Sequence, residues 1–381
     1  LYVKFHEEIK GSASRRTELE KRGQEEFRKL EEGDKENMEL WHWFKKESLK
    51  EFEKLYEILG VRFDRWEGES FYEKEMKPLV AELIKRGIAK KSEGALIVPL
   101  ESDGLPPALV RKADGASLYL TRDIANLRYR LKEYKPEKIL YVVGNEQALH
   151  FTQLFAVAKI MGLTGPELVH VKYGLVLGET KKKLATREGR TILLEDVMKK
   201  ALQLARDIVA KKATDTSAAE REEIAKVVGI GALKYNDLKE NRTSDIIFDW
   251  GKMLDLTGDS APYLQYTYAR LRSILRKAGA QVSGFRFPVS GLTGEIELRI
   301  IRKLLEFPDE VKRSGENLST SNIASYLYNL AVLANHLYET TPVLKEDDES
   351  RRAALLSLIE ATASVLKTGL GLLGIKTLEV I

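Results

Sequence analysis

"KILYVVGNEQALHFTQLFAVAK", residues 138–159, is the stretch on which the reading of this chain turns. It opens as a short apolar run rich in β-branched and aromatic residues, which predicts a buried strand. Gly144 ends the run, and three polar residues follow. Ala148, Phe151, Leu154, Phe155 and Ala158 then recur at the spacing of one helix face. Asn145-Glu146-Gln147 can be ordinary turn chemistry, with Asn145 capping the helix and Glu146 favourable to its dipole. The cluster can equally face a ligand, because open parallel sheets bind ligands beyond the carboxyl ends of their strands. His150, one of five histidines, has the same two readings: a packed core residue or a group in a site.

Upstream, "ASLYLTRD" (116–123) reads as another strand, running into a helix whose apolar face is Ile124, Leu127, Leu131 and Tyr134. Asp123 then either caps that helix or presents a carboxylate to a cationic ligand. Downstream, "LVHVKYGLVLG" (168–178) is extended, and "ETKKKLATREG" (179–189) is a basic loop. That loop is either a solvated turn or a mobile phosphate-binding loop in which lysine acts as a point charge. Strand and helix alternating from about residue 113 predict an α/β unit with a parallel sheet.

Around this unit the pattern is helical. Residues 17–60 read as two charged helices, broken near 31–34, with Trp41, Phe44, Phe52, Leu55 and Leu59 at helical spacing. "GVRFDRWEGES" (60–70) suggests a strand and a Gly-rich loop, residues 76–87 a helix, and "IAKKSEGALIVPL" (88–100) a hairpin. Beyond 195 helices dominate, with a break at 212–220 and two long final helices within 321–339 and 349–374. The organisation expected is a helical insertion at 1–110, an α/β core at 111–215, a helical connector at 216–254 and an all-α bundle at 255–381.

Composition excludes several classes. The 381 residues are 43% hydrophobic and 31% charged, which is globular. There is no cysteine, hence no disulfide, no Cys-ligated zinc and no Cys nucleophile. That suits a reducing compartment, the cytoplasm in the first instance, with a mitochondrial location also compatible. No His/Asp/Glu grouping has metal spacing, so no metal site is expected. Lys367 interrupts the longest apolar run, so no membrane span is expected. Neither a P-loop nor a G-x-G-x-x-G follows any strand. A net charge of +4 says little, but positive charge concentrates at 181–183 and 269–277. In "DSAPYLQYTYARLRSILRK" (259–277), Tyr263, Tyr266 and Tyr268 interleave with Arg270, Arg272 and Arg276. Aromatics beside cations are what RNA binding uses, and also what an amphipathic helix with a solvated basic face looks like.

In chain order, "DGASLYLTRDIA" (114–125), "YVVGNEQALHFTQLF" (141–155), "GLVLGETKKKLATREGRTILLEDV" (174–197), residues 235–274 and the ending "LGLLGIKTLEV" (370–380) resemble arginyl-tRNA synthetase, a class I family. The resemblance implies a Rossmann-like parallel-sheet catalytic domain followed by an all-α anticodon-binding bundle. It implies an arginine–tRNA ligase with ATP as substrate together with Mg2+, no prosthetic group, and L-arginine and tRNA(Arg) as partners; no membrane partner is expected from the apolar runs, and a monomer is the default expectation. Carried over by position, Tyr119, Asp123 and Gln147 match the arginine pocket, with Asp123 receiving the guanidinium. Gly144 and His150 fall near ATP. Lys181, Lys182 and Lys183 occupy the catalytic lysine-rich loop without its KMSKS spelling. Tyr263, Tyr266, Arg270 and Arg272 fall in the tRNA-binding bundle. Nothing matches the family's His-x-Gly-His signature: His6, His42, His150, His170 and His336 are isolated. The resemblance thus covers the C-terminal two-thirds of a typical member, and the alternative is a truncated paralogue that binds tRNA, or uses charged tRNA, without adenylating arginine.

Overall fold

The computed structural model describes residues 2–9, 13–112, 119–178, 193–212, 216–279 and 291–380. Lys181, Lys182 and Lys183 lie outside them. The chain divides into two compact units, residues 1–64 and 65–381.

The first unit is helical: α1 (Tyr2–Glu8), α2 (Ala13–Glu32) and α3 (Lys35–Leu59). Asp34 caps α3 by accepting from the Asn37 N–H at 3.1 Å, and Gly60, in the left-handed region at φ 63°, ends it. The two-helix reading of residues 17–60 holds. No residue of α3 is fully buried, and Phe44 and Phe52 stay about half exposed.

The second unit holds the α/β region. It comprises α4 (Glu73–Lys85), β1 (Lys90–Ser92), β2 (Ala95–Val98), β3 (Ala108–Arg111), α5 (Tyr119–Tyr134), β4 (Lys138–Gly144), α6 (Ala148–Met161), β5 (Glu167–Tyr173) and β6 (Val176–Leu177). Strands β1–β2–β3 form an antiparallel sheet whose hairpin turns at Glu93 and Gly94, both at positive φ, as paired-strand twist favours. β4 and β5 pair in parallel from Lys138↔Glu167 to Gly144↔Tyr173, with α6 as the crossover. One apolar core joins Leu79, Leu83, Leu96, Val110, Ile124, Leu127, Tyr141, Phe151 and Leu154. It includes residues on both sides of position 110, so the boundary anticipated at 110/111 falls inside a single core.

Among the described residues, two expected strands are not seen as strands. Tyr119 and Leu120 already belong to α5, because Leu120, Ile124 and Leu127 at helical spacing bury together. Residues 61–68 contain no strand. The Glu67 carboxylate instead accepts from the hydroxyls of Tyr129 at 3.0 Å and Tyr134 at 3.1 Å, with Tyr72 at 3.5 Å, and this tertiary tie overrides local β-propensity. Burial pushes the Tyr72 hydroxyl up, and the neighbouring Glu67 charge adds to the shift.

The remainder is helical: α7 (Leu194–Lys212), α8 (Ala218–Leu238), α9 (Trp250–Met253), α10 (Ala261–Lys277), α11 (Glu295–Asn317), α12 (Thr320–Thr340) and α13 (Glu349–Leu372). A two-residue strand β7 (Ile246–Ile247) pairs in parallel with β6. Ser217 and Glu220 form a reciprocal capping box at the start of α8. Helices α10–α13 and the end of α8 enclose one core around Leu264, Leu271, Leu327, Leu330, Leu355, Leu366 and Leu370. At about 1.5–3 kcal/mol for each fully buried leucine, this core is the bundle's main source of stability.

By length and composition α13 could cross a membrane, contrary to the expectation from Lys367, but half of its apolar window is buried in this bundle. Helix α13 also approaches α12 without clearance at Gly369, where an added Cβ would overlap Leu327. Gly371 has nothing within 4 Å of such a Cβ. We therefore expect Gly369→Ala to destabilise by about 1–3 kcal/mol through overpacking. Gly371→Ala should stabilise by about 0.5–1 kcal/mol through helix propensity. Urea denaturation of both variants checks the pair, and equal effects would contradict the packing described.

Candidate functional site

On α5, Tyr119, Asp123, Asn126 and Arg130 follow one another at four, three and four residues, one face of a helix. The opposite face is anchored. Thr121 donates to the Val110 carbonyl of β3 at 2.7 Å, and Ile124 and Leu127 are fully buried. Asp123 sits in the second turn, so it is not the helix cap. Its Oδ2 lies 2.6 Å from His150 Nε2 on α6, with the two side chains 33% and 22% exposed. Both therefore reach solvent while held by the core behind them.

Gly144 ends β4, Asn145–Gln147 make one 3-10 turn, and α6 begins at Ala148. Asn145 does not cap α6: its Nδ2 donates to the Thr243 carbonyl at 3.0 Å, and no side chain caps that helix. The first N–H of α6, on Ala148, donates to the Asn145 carbonyl of the 3-10 turn. Gln147 is exposed, one turn before His150, and Tyr119 is 67% exposed, one turn before Asp123.

A loop from the helical part closes this end of the sheet. Arg242 Nη1 donates to the Lys172 carbonyl at 2.8 Å, the Gly174 N–H to the Arg242 carbonyl at 2.8 Å, and the Leu175 N–H to Asp245 Oδ1 at 2.8 Å. A Cβ on Gly174 would overlap the Ser244 carbonyl, so the close approach requires glycine there. Behind Asp123, the Arg130 guanidinium lies 5.4 Å from the Tyr141 ring centre. Burial pushes the Tyr141 hydroxyl up while the Arg130 charge pulls it back. Asn126 Oδ1 is buried without a partner among the described residues. No three His, Asp or Glu side chains converge on a metal site among the described residues.

The basic helix α10 builds a second arrangement. Arg270 is sandwiched between Tyr266 at 4.7 Å and Tyr338 at 4.4 Å, and its Nη1 donates to Asn335 Oδ1 at 2.7 Å. Asn335 is itself oriented by donating to Thr267 Oγ1 at 2.7 Å. A cleft of about 270 Å³ opens here, lined by Tyr266, Arg270, Ser273, Arg276, Lys277 and Tyr338. Arg272 is turned to other partners, Glu379 Oε2 at 2.7 Å and Glu360 Oε2 at 2.8 Å. Tyr263 packs against the bundle core, its ring 5.7 Å from Tyr328. Of the four residues expected to meet RNA, only Tyr266 and Arg270 come together at a cleft.

Residues 2–250 match the family described as class I tRNA synthetases (R), catalytic domain. The chain belongs to the class I arginyl-tRNA synthetase family. Residues 264–381, from α10 to the end, match the DALR anticodon binding domain. Arginine–tRNA ligase 1 of Bacillus cereus is 42% identical over 380 residues, and the arginine–tRNA ligase of Clostridium perfringens is 43% identical over 383 residues. Each alignment takes in all of this chain and 66% of the relative. The crystal structure of arginyl-tRNA synthetase from Plasmodium falciparum superposes with a TM-score of 0.80 at 26% identity, covering 98% of this chain and 64% of that one. The chain thus spans just under two thirds of the length of the curated relatives it matches.

In this arginyl-tRNA synthetase family chain, the α5 face was legible as far as Asp123, and the same periodicity extends to Asn126 and Arg130. Asn335 and Tyr338 on α12, and Glu360 and Glu379 beyond, carried no sequence signal as partners of α10.

Glu379 also accepts from the Tyr268 hydroxyl at 2.6 Å. Burial raises Glu379, but the hydrogen bonds from Tyr268 and Arg272 outweigh it and hold the carboxyl below its ordinary value. A lowered folded-state value means stability that is present at neutral pH and is lost as pH falls through it. Arg272→Ala should therefore cost about 1 kcal/mol at neutral pH, since Glu379 is half exposed and screened. That cost should shrink between neutral pH and an acidic pH low enough to protonate Glu379 in both proteins. Thermal denaturation at the two pH values checks it, and a pH-independent difference would contradict the pairing.

Proposed function

We propose that this chain is the arginine-recognising and tRNA-binding portion of an arginine–tRNA ligase. The observation that carries the reading is Asp123, a half-sheltered carboxylate on α5 beside the start of α6. A guanidinium is planar and always charged, and a carboxylate is its best partner because two parallel N–H···O bonds can form. Tyr119 and Gln147, exposed one turn from Asp123 and from His150, are the flanking hydroxyl and amide for the rest of the amino acid. Leaving a buried charge or donor unpaired is costly, so such a site rejects neutral analogues without an editing domain.

ATP is the second substrate, taken up with its Mg2+. In this reading its phosphates lie near the start of α6, beyond the carboxyl end of β4. Lys181, Lys182 and Lys183 supply positive charge to the leaving pyrophosphate. Attack of the arginine carboxylate on the α-phosphorus forms the adenylate and releases pyrophosphate, and the tRNA terminal ribose hydroxyl then displaces AMP. Positioning and charge carry these steps, with no covalent enzyme intermediate. At the other end, Tyr266, Arg270 and Tyr338 form a stacking and cationic cleft for unstacked bases of the tRNA anticodon loop. We place the protein in the cytoplasm as a monomer.

The second reading, a tRNA-binding relative without adenylation, needs only the Tyr266–Arg270–Tyr338 cleft. Arginine-dependent ATP–pyrophosphate exchange separates the two, since only the ligase gives it.

In the full-length context, Asp123→Ala should cost on the order of 3–5 kcal/mol in arginine-dependent exchange, the penalty for an unpaired guanidinium. Near-normal exchange in that variant would rule out the pocket. For the bundle, Arg270→Ala should weaken tRNA binding and lower the slope of log affinity against log salt by about one. An unchanged slope in filter-binding titrations would contradict an RNA contact at this cleft.

A further inference from the structure

We infer that His150 is a positioning residue of the arginine pocket: it fixes the plane of the Asp123 carboxylate. This rests on the ligase reading above and deepens it.

The geometry is direct. His150 Nε2 stands 2.6 Å from Asp123 Oδ2, a charge-assisted bond between neighbouring helices. An ionised carboxylate cannot donate, so the proton is on Nε2 whichever form the ring takes, and the bond sets the tautomer. The ring is itself held by packing: it meets Phe151 edge-on at 5.2 Å, and Phe151 stacks at 4.5 Å on His170, whose Nε2 bonds the Val143 carbonyl at 3.0 Å. His150 therefore hangs from the β4–β5 pair through one aromatic layer.

The free torsion is at Asp123. The terminal torsion of an aspartate is broad and roughly two-fold, so the carboxylate plane is poorly defined by its own chain. A guanidinium engaging two oxygens at once needs that plane fixed. One bond to Oδ2 supplies the constraint and leaves Oδ1 and the second lone pair of Oδ2 for the ligand. The pair is also shared at solvent, with neither partner more than a third exposed, as expected for a site wall rather than a core tie.

The test uses the full-length protein and the ATP–pyrophosphate exchange reaction, with arginine and ATP varied separately. His150→Ala should raise the KM for arginine about 10- to 100-fold, the range for losing a hydrogen bond to a charged group. The KM for ATP and kcat should stay within about two-fold. His150→Gln, which places an amide N–H where Nε2 stood, should recover most of the arginine KM, which a merely structural role would not. If His150→Ala fails to fold, His150→Phe, which keeps the ring and removes the Nε2 donor, takes its place: a raised arginine KM recovered in His150→Gln supports the inference, and an unchanged arginine KM overturns it. An unchanged arginine KM in His150→Ala, or a loss confined to ATP, overturns it as well. Absence of arginine-dependent exchange in the wild type overturns the ligase reading itself, and is thereby distinguishable.

Discussion

A carboxylate two-thirds withdrawn from water on a helix wall must be matched by donors or by positive charge, and Asp123 sets that requirement here. His150 meets part of it, with Nε2 2.6 Å from Asp123 Oδ2. The surrounding architecture serves to hold this one group. Thr121 pins α5 to β3 two residues before Asp123, and the parallel β4–β5 pair carries α6 and therefore His150. The loop around Arg242 and Thr243 then ties the helical part to the same strand ends through backbone carbonyls.

The bundle uses its basic helix in two ways, and the C-terminal segment sorts them. Glu379 and Glu360 neutralise Arg272, and the Glu379 carbonyl accepts from Arg276 Nη1 at 2.8 Å, so these cations serve the fold. Arg270, two residues from Arg272, points instead between two tyrosine rings with one amide to orient it. A cation held by stacking and a single neutral acceptor keeps its charge available, whereas one bridged by two carboxylates does not. Gln265 repeats the structural theme from the buried side, donating to the Lys376 carbonyl at 2.8 Å and so fastening the chain end to α10.

How much of this could be read from the residues depends on how local each cause is. The strand at 138–144 and the helix after it were legible because a β-branched run, a glycine and a 3.6-residue period lie in one short segment. The hairpin at 90–98 was legible for the same reason, with Glu93-Gly94 as its turn. The expected strand at 60–70 was not realised, because Glu67 is claimed by tyrosines up to 67 residues away. Tyr119 and Leu120 have strand-compatible side chains but join a helix, since the burial of Ile124 and Leu127 decides the period. At the site, Asp123 and His150 were each singled out with two open readings. Their contact spans 27 residues and two elements, so nothing in either stretch announced it. Arg270 and Arg272 look alike in sequence. They are told apart by Tyr338, Asn335, Glu360 and Glu379, between 65 and 107 residues distant.

The central claim is that a charged, planar guanidinium is what Asp123 is built to receive. L-citrulline has nearly the shape of L-arginine but carries a neutral ureido group in place of the guanidinium. Calorimetric titration of the full-length wild-type protein with each amino acid tests the claim without relying on turnover. The account predicts that arginine binds and that citrulline binds at least about 100-fold more weakly, since the carboxylate would lose its ionic partner. Equal affinity for the two, or heat from neither, would contradict it.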